Sequence, residues 1–496
     1  MSQEGSSDWS EEQWRGKMLL RQLRLRCTVI MNLAQSLEDG GGFATVTPKA
    51  LCRLIRHTAN VLDRSLADTP HDQLANVNYF LCSIAQHLRF VERSRTVNTP
   101  WSMIQATEHF LRQQVGANSR FIIRPQWAHN YSLTGEFVEA YRTEIASMAW
   151  IDPKAWEESS AERPVDERVY CIAFPRVERL NALLHANWGH ELGHIVAARW
   201  IHGRFGQLWN GEEPDMKARI RQTVEQGLGA SMNQALFKDL IINQYVSEYT
   251  DSAMELARDG LTELICDAIG VHLLGPSALA ACLEFSAGFS LDENPLRCDR
   301  YPPWRYRLRL MLEACQENED FLEEEATTSP KAAVYPGETV APFWEWLREA
   351  KRLVTQTPDL QMLHRDGMDN VSVREAYTLV ENHWRRIRGE ALDMLLGGAK
   401  RPYKLRERLT TIDDLVAKLE NDIPPNEVDT WPDSSPAAFE DIINAAWVFK
   451  ARKLAQDPEW GCPKDLERLY RLVLKAIEAS FVHSVFGPRL ARLDKP

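Results

Sequence analysis

The chain has 496 residues, of which 44% are hydrophobic and 26% charged, so it is long enough for two or three domains and its composition excludes a disordered protein. Its net charge of -12 disfavours a broad nucleic-acid interface, because phosphate binding needs a surplus of lysine and arginine on one face.

The first part of the chain has the patterns of a helical region. Apolar residues recur at helical spacing from Leu19 to Leu37, and further helical runs cover Gln73 to Val91 and Trp101 to Val115. Another helix is expected to start at Thr47-Pro48, since proline is tolerated in a first turn. We therefore predict a helical N-terminal region over residues 1–116.

The pattern then changes to short β-like runs, each stopped by a proline. Arg120 to Pro125 and Val169 to Pro175 are the two clearest. From Val177 to Leu274 the pattern is helical again, with an expected interruption around Gly203 to Pro214. These runs predict a small β-sheet beside helices, and we assign residues 117–315 to one core domain.

The remainder is predicted to be a linker followed by helices. Residues 316–342, which begin with an acidic stretch, are expected to form a linker or surface loop. Residues 343–496 are predicted to be a helical C-terminal region, split by the proline-rich piece from Ile423 to Pro436. The predicted fold class is thus mainly α with a small β-sheet (α+β).

The chain is expected to be cytoplasmic. Residues Met1 to Glu12 lack the basic-then-apolar layout of a secretory signal, and no apolar run reaches the roughly 18–20 residues that span a bilayer. The nine cysteines are scattered without a CxxC pair, which argues against disulfides and against a cysteine-type zinc knuckle. No nucleic-acid partner and no membrane contact are expected.

One motif points directly to chemistry: His190-Glu191-Leu192-Gly193-His194. On a helix predicted from Asn181 to Ile201, two histidines four residues apart leave the same face, so both imidazoles can bind one Zn²⁺. Glu191 would then stand beside the metal as a general base for water. The flanking residues are uncharged, which favours this interpretation over two ordinary buried histidines.

A catalytic zinc needs a third protein ligand, and Glu263 is the best candidate. Glu263 and Asp267 stand at i and i+4 in a strongly apolar segment, where carboxylates are costly unless paired or bound to metal. We expect Glu263 to bind zinc and Asp267 to accept a hydrogen bond from a ligating histidine. The alternative is a helix with two surface carboxylates. If Glu263→Ala kept full zinc occupancy, Glu255 or Asp259 would be the third ligand.

HExxH on one helix with ExxxD on a later one resembles the gluzincin group of zinc metallopeptidases. The ExxxD helix followed by a segment with proline and arginine is similar to CAAX-prenyl-protease-like peptidases; their usual His-Pro appears here as Tyr301-Pro302-Pro303, followed by Arg305 and Arg307. The resemblance covers about Val169 to Leu310. It implies a zincin-like core, with His190, His194 and Glu263 as zinc ligands and Glu191 as general base.

Several other roles stay open in the sequence. The residues considered for stabilising an oxyanion are Tyr249, His272, Tyr301, Arg305, Tyr306 and Arg307. His185 and His202 lie near the motif helix, and His185, rotated off the ligand face, is expected to be structural. Cys266 is a weak rival ligand whose neighbours suggest core packing. Val169 to Phe174 is either an edge strand that pairs with an extended substrate or an ordinary core strand. Residues from Phe205 to Gln244 could cover the cleft as a lid.

The sequence therefore predicts a zinc metallopeptidase with one Zn²⁺ per chain, selective or regulated, acting on a protein or peptide substrate. The helical regions on both sides of the core offer surfaces for a regulatory protein or a second copy of the chain. Two alternatives share the same residues: an inactive scaffold with the metallopeptidase fold, and a zinc amidohydrolase that acts on a small substrate.

Overall fold

The computed structural model of the protein describes residues 11–158, 168–228, 238–292, 301–319, 339–355, 370–395, 401–430 and 433–493. The chain divides into two compact units, Met1–Arg179 and Leu180–Pro496. Helices dominate the described residues of both units, and a small mixed sheet accompanies them in the first. The predicted class, mainly α with a small β-sheet, is confirmed at this level.

The first unit contains six helices and three strands among its described residues. In chain order these are α1 (Glu11–Gly40), α2 (Thr47–Ser65), α3 (Leu74–Arg93), α4 (Trp101–Val115), β1 (Ser119–Gln126), β2 (Ser132–Thr134), α5 (Phe137–Ser147), α6 (Pro153–Glu158) and β3 (Arg168–Pro175). Helix α2 begins at Thr47 with proline in its first turn, as predicted. Buried apolar side chains of α1, α2, α3 and α5 form one core with residues of the sheet.

The sheet has the strand order β1-β3-β2, so β3 is its central strand. It pairs in parallel with β1 along its whole length and antiparallel with β2 at Cys171, Ile172 and Ala173. The hypothesis of a substrate-pairing edge strand at Val169 to Phe174 is therefore wrong. A strand with neighbours on both sides is an ordinary core strand, and the burial of β3 from Val169 to Pro175 fits that position.

The second unit contains ten helices and a two-stranded antiparallel sheet among its described residues. Its elements are α7 (Trp188–Trp200), α8 (Gly206–Leu228), α9 (Lys238–Leu274), α10 (Pro276–Ser286), α11 (Trp304–Asn318), α12 (Ala341–Thr355), α13 (Val371–Leu392), α14 (Leu409–Glu420), β4 (Glu427–Thr430), β5 (Asp433–Pro436), α15 (Phe439–Gln456) and α16 (Pro463–Leu493). The strands β4 and β5 lie in the proline-rich piece that the sequence predicted only as a separator.

Helix α9 is the centre of this unit. Helices α7, α8, α10, α11 and α13 all pack on it. Every residue of its last part, from Glu263 to Leu274, is buried. A helix that is apolar on all sides has to be surrounded by other elements, so the sequence of this segment explains its central place. The carboxylates of Glu263 and Asp267 are therefore interior groups and not surface ones.

Three details of the second unit differ from the expectations. Residues 181–187 precede the motif helix as a loop and a 3₁₀ turn at Leu184–Asn187. The expected interruption at Gly203 to Pro214 is a π-helical turn at Ile201–Phe205, after which α8 continues through Pro214. In the expected linker, residues 320–338 lie outside the described residues, and Gln316 still belongs to α11.

The division into units also differs from the predicted domain limits. The predicted core domain, residues 117–315, contains the sheet together with the motif helix, whereas the contacts group β1, β2 and β3 with the N-terminal helices. The physical reason lies in the packing of the sheet: α2, α3 and α4 cover β1, and α5 covers β3.

Candidate metal centre

Helix α7 carries the two histidines of the motif on one face. Their ring centroids are 5.1 Å apart and the ring planes are nearly perpendicular, at 88°. This is the consequence of their spacing, because side chains four residues apart stand one turn above each other. The side chain of His194 is 27% exposed and that of His190 16%, so the histidine pair is reached by solvent from the His194 side.

Glycines allow α7 to approach α9 closely. A Cβ atom added to Gly193 would lie 2.5 Å from the Cα atom of Cys266, and one added to Gly189 would lie 3.0 Å from the Cα atom of Gly270. Contacts of this kind leave no room for a side chain at Gly193. The glycine inside the motif therefore serves packing, and it brings the histidine face of α7 against the carboxylates of α9.

The structure brings the predicted ligands together. The Nε2 atom of His190 lies 3.4 Å from a carboxylate oxygen of Glu263, and the Nε2 atom of His194 lies 3.9 Å from the other oxygen. A tetrahedral zinc ion with bonds of about 2.0–2.1 Å would separate two ligand atoms by about 3.3 Å. The two histidines and Glu263 thus stand at a spacing that suits a small metal ion.

Asp267 makes the contact that the sequence predicted for it. Its Oδ1 atom lies 2.8 Å from Nδ1 of His190. A hydrogen bond from Nδ1–H to this carboxylate fixes the ring and leaves Nε2, the nitrogen that faces Glu263, with its lone pair for a metal. Asp267 is 3% exposed, which shields this hydrogen bond from water.

Arg307 of α11 completes the cluster from the other side. It donates two hydrogen bonds to Asp267, at 2.7 and 2.8 Å, and its Nη1 atom lies 3.6 Å from Glu263. The sequence placed Arg307 in the arginine-bearing segment and among six candidates for an oxyanion role. Its guanidinium is instead directed at the carboxylates of α9. The signal in the sequence was an arginine in a largely apolar helix face, which needs a buried acid as partner.

Glu191 is buried, with 3% of its surface exposed, and its Oε2 atom lies 3.9 Å from Nε2 of His194. The motif carboxylate therefore stands beside the nitrogen that would bind a metal. It is not among the atoms closest to both histidines, a position that Glu263 occupies. Glu263 therefore faces both histidines, whereas Glu191 lies beside His194.

The electrostatics of the cluster favour positive charge between the histidines and the acids. Burial by itself lowers the pKa of His190, but hydrogen bonds to Asp267 and Glu263 outweigh it and raise the pKa to about 10. Burial and the charge of His190 lower the pKa of His194 to about 4. Burial raises the pKa of Asp267, yet Arg307 and His190 hold it below its usual range. In the absence of a cation, a proton on His190, together with the charge of Arg307, balances the carboxylates of Asp267 and Glu263.

Cys266 is a further donor at this site. Ligand atoms of His190, His194 and Cys266 all lie within 4.8 Å of one another, and this group could hold a metal ion. The cysteine is fully buried, in agreement with the core packing that its apolar neighbours predict. This set contains Cys266 in place of Glu263, whose oxygens lie at 3.4 and 3.9 Å from the two histidines.

Other residues considered from the sequence have different surroundings. The side chain of Arg305 pairs with Asp292, at 2.6 Å, and donates to the carbonyl of Leu353. Tyr306 packs edge to face against Tyr377. The ring of His185 is buried and stacks on Trp188, in line with a structural role.

The remaining candidates on or near α9 are also placed. Glu255 is exposed, and Asp259 lies 3.2 Å from Arg258. Tyr249 stacks on Tyr245, and the backbone carbonyl of His272 accepts a hydrogen bond from Tyr403. His202 lies in the π-helical turn and Tyr301 just before α11.

The segment expected to cover the cleft, Phe205 to Gln244, is helical where the structure describes it. Helix α8 packs on α9 and α13, and Arg219 forms an ion pair with the buried Glu375 at 2.7 Å. Residues 229–237, which include Gly229, lie outside the described residues. A role in gating the site stays a prediction.

Comparison with known proteins returned no relatives: no family model, no curated protein and no solved structure matches this chain. The resemblance to gluzincins therefore rests on the motif residues themselves. In the part of the chain that the structure describes, no helix is both long and apolar enough to cross a membrane.

Proposed function

We propose that this protein is a zinc metallopeptidase, in which His190, His194 and Glu263 hold one Zn²⁺ and Glu191 is the general base. The observation that carries the proposal is the position of the His190 ring. Its Nδ1 atom is 2.8 Å from Asp267 and its Nε2 atom is 3.4 Å from Glu263. A histidine held by a carboxylate at one nitrogen and directed at a second ligand by the other is the usual arrangement around protein-bound zinc.

The donor set fits this metal. Two imidazole nitrogens and one carboxylate oxygen are ligands that catalytic zinc sites commonly use. The charges fit as well: when ionised, the buried carboxylates of Glu191, Glu263 and Asp267 exceed the single charge of Arg307 by two, and a divalent cation balances this excess. Buried charges of one sign are strongly unfavourable without such compensation.

The chain's own residues divide the chemistry between them. When bound, Zn²⁺ would acidify a water molecule and polarise the carbonyl of the scissile bond. Glu191 accepts the proton of the attacking water and returns it to the leaving amine. Asp267 and Arg307 keep the His190 ring in one orientation, and their burial keeps water from competing for those hydrogen bonds.

Glu191 favours an enzyme over an inactive scaffold. A scaffold would gain nothing from a carboxylate that is 3% exposed beside His194, because burying it is costly. The preference for a peptide over a small amide comes from the resemblance to gluzincins, since both reactions would use the same residues. We further propose that the enzyme acts inside the cell on a narrow set of proteins, since unrestricted proteolysis would harm its host.

The test compares Glu191→Gln with Glu255→Gln, a change of an exposed glutamate on α9. Zinc content is measured by mass spectrometry of the purified protein, and cleavage is measured on a proteome-derived peptide library. We expect zinc near one per chain in all three proteins, with cleavage lost by at least about 100-fold only in Glu191→Gln. Retained cleavage in that variant would refute the assigned base, and absence of bound zinc in the unaltered protein would refute the metal site.

Two further results would favour the alternatives. Full zinc content without cleavage of any peptide, by a protein that hydrolyses small amides, would identify an amidohydrolase. Full zinc content without any hydrolysis would favour the inactive scaffold.

A further inference from the structure

Cys266 lies between the two carboxylates of α9 on the side that meets α7. It follows Glu263 by three residues, so both side chains lie on neighbouring parts of one helix surface. Gly193 lies between Glu191 and His194 in sequence. A Cβ atom added to Gly193 would have the Cα atom of Cys266 as its nearest neighbour. The sulfur of Cys266 and one ring nitrogen of each of His190 and His194 lie within 4.8 Å of one another.

The site therefore holds two different third donors for one pair of histidines. Glu263 offers carboxylate oxygen, and its side chain is 11% exposed. Cys266 offers sulfur and is fully buried. Carboxylate suits harder cations, whereas thiolate suits softer ions such as Cu⁺ and Zn²⁺.

We propose that His190, His194 and Cys266 form a second ligand set, which binds thiophilic cations such as Cd²⁺ at the expense of zinc. The proposal rests on the proposed function, because it shares the histidine pair and displaces Glu263 as the third ligand. On binding, the sulfur–metal bond forms, the thiol proton passes to water, and no electron is transferred. Glu263 is replaced as the third ligand, so the thiophilic ion inhibits the enzyme.

The distances fit both donors to the histidine pair. Glu263 stands at 3.4 and 3.9 Å from the two histidines, close to the spacing of about 3.3 Å around zinc. A sulfur and a nitrogen bound to one zinc are about 3.6 Å apart, and the sulfur of Cys266 lies within 4.8 Å of a ring nitrogen of each histidine. The strong bond between a soft ion and sulfur then favours Cys266 over Glu263 for such an ion.

The experiment uses the full chain with its exposed thiols removed. Cys82→Ser and Cys462→Ser remove the two cysteines that are exposed among the described residues, and Cys298→Ser removes one that lies outside them. The metal-free protein is titrated with CdCl₂, and the ultraviolet charge-transfer absorption of a thiolate–cadmium bond is recorded. We expect saturation at one equivalent.

Three variants in this background separate the two ligand sets. Cys266→Ala should abolish the charge-transfer band and leave zinc affinity within about threefold. Glu263→Gln should keep the band and lower zinc affinity by at least tenfold. Cys315→Ala, which removes a buried thiol from α11 of the same unit, should change neither.

The outcomes are distinguishable from failure of the proposed function. Zinc binding without a cadmium–thiolate band, or a band that persists in Cys266→Ala, overturns the inference and leaves the zinc site intact. If neither metal binds, both proposals fail. If Cys266→Ala does not fold, X-ray absorption at the cadmium edge is measured on the protein that retains Cys266. One sulfur neighbour of the bound cadmium supports the inference. The absence of a sulfur neighbour overturns it.

Discussion

Arg307 on α11 donates two hydrogen bonds to Asp267 on α9, at 2.7 and 2.8 Å, and both residues are at least 95% buried. The same carboxylate lies 2.8 Å from Nδ1 of His190. One buried ion pair thus links the packing of α11 to the orientation of a histidine that would bind metal. A buried pair of this kind is strongly destabilising when one partner is removed, because the other is left as an uncompensated charge.

We expect Arg307→Met to lower the free energy of unfolding by about 3–5 kcal/mol. The matched control is Arg305→Met on the same helix, which removes a pair with Asp292, a side chain that is 56% exposed. Exposed pairs contribute only about 0–1 kcal/mol. Urea unfolding followed by circular dichroism measures both variants, and equal losses would contradict a special role of the Arg307 pair.

Asp267→Asn should weaken zinc binding by about 10–100-fold. Asparagine retains the size of the side chain but loses the charge that polarises the His190 ring and pairs with Arg307. Competition with a chromophoric chelator measures the zinc affinity. Asp259→Asn, two turns earlier on α9 and paired with Arg258, is the control and should leave the affinity unchanged. The role assigned to Asp267 is refuted by an affinity equal to that of the control.

Gly193→Ala should destabilise the second unit by roughly 1–3 kcal/mol and lower zinc affinity. The new Cβ atom would lie 2.5 Å from the Cα atom of Cys266, so α7 has to move away from α9 and carry the histidines with it. Gly211→Ala is the control: its Cβ would meet nothing within 4 Å, and alanine in a helix should stabilise by about 0.5–1 kcal/mol. Opposite signs of the two effects are expected in thermal unfolding.

The first unit should lose stability as the pH falls from about 6.5 to 4 because of His87. Burial lowers the pKa of this histidine to about 4, and its ring lies 4.6 Å from Phe137, with Nδ1 2.6 Å from the hydroxyl of Tyr141. Between these pH values the unfolded chain binds the proton and the folded chain does not. The contribution of neutral His87 to the free energy of unfolding is therefore fully present above the pKa that His87 has in the unfolded chain, and it is lost toward pH 4.

The expected loss of unfolding free energy that is due to His87 is about 2 kcal/mol. This value follows from the lowered pKa of His87 and is reduced because its ring is partly exposed. His87→Leu should remove it. The measurement is the difference in urea stability between the two proteins at pH 7.0, 5.5 and 4.5. A difference that stays constant over this range would show that His87 does not titrate as described.

Local patterns predicted much of the fold. The bounds of α4 coincide with the predicted helix Trp101–Val115, and β1 and β3 extend the two predicted strands by one residue at an end or both. Three of the missed elements, β2, β4 and β5, have three or four residues each, too few for a periodic pattern to emerge. Helices α5 and α6 were not predicted either. The order of the strands could not be predicted from the sequence, and β3 was therefore considered as a possible edge strand.

The candidate site was predictable where it depends on spacing within one helix. His190 and His194 are one turn apart, as are Glu263 and Asp267, and each pair shares a face by geometry alone. The partner of Asp267 was not predictable, because Arg305 and Arg307 are only two residues apart in sequence. The fold directs Arg307 inward to α9 and Arg305 outward to Asp292.

The motif, its helical spacing and the expectation of interior carboxylates were all determined by the sequence itself, since each depends on neighbours within one or two turns. Only the tertiary structure decided that Glu263 faces the histidines at 3.4 and 3.9 Å, that Cys266 stands beside them and that Arg307 holds Asp267. The physical reason is the contact of α7 with α9 through Gly193, a relationship between segments 73 residues apart that no local pattern encodes.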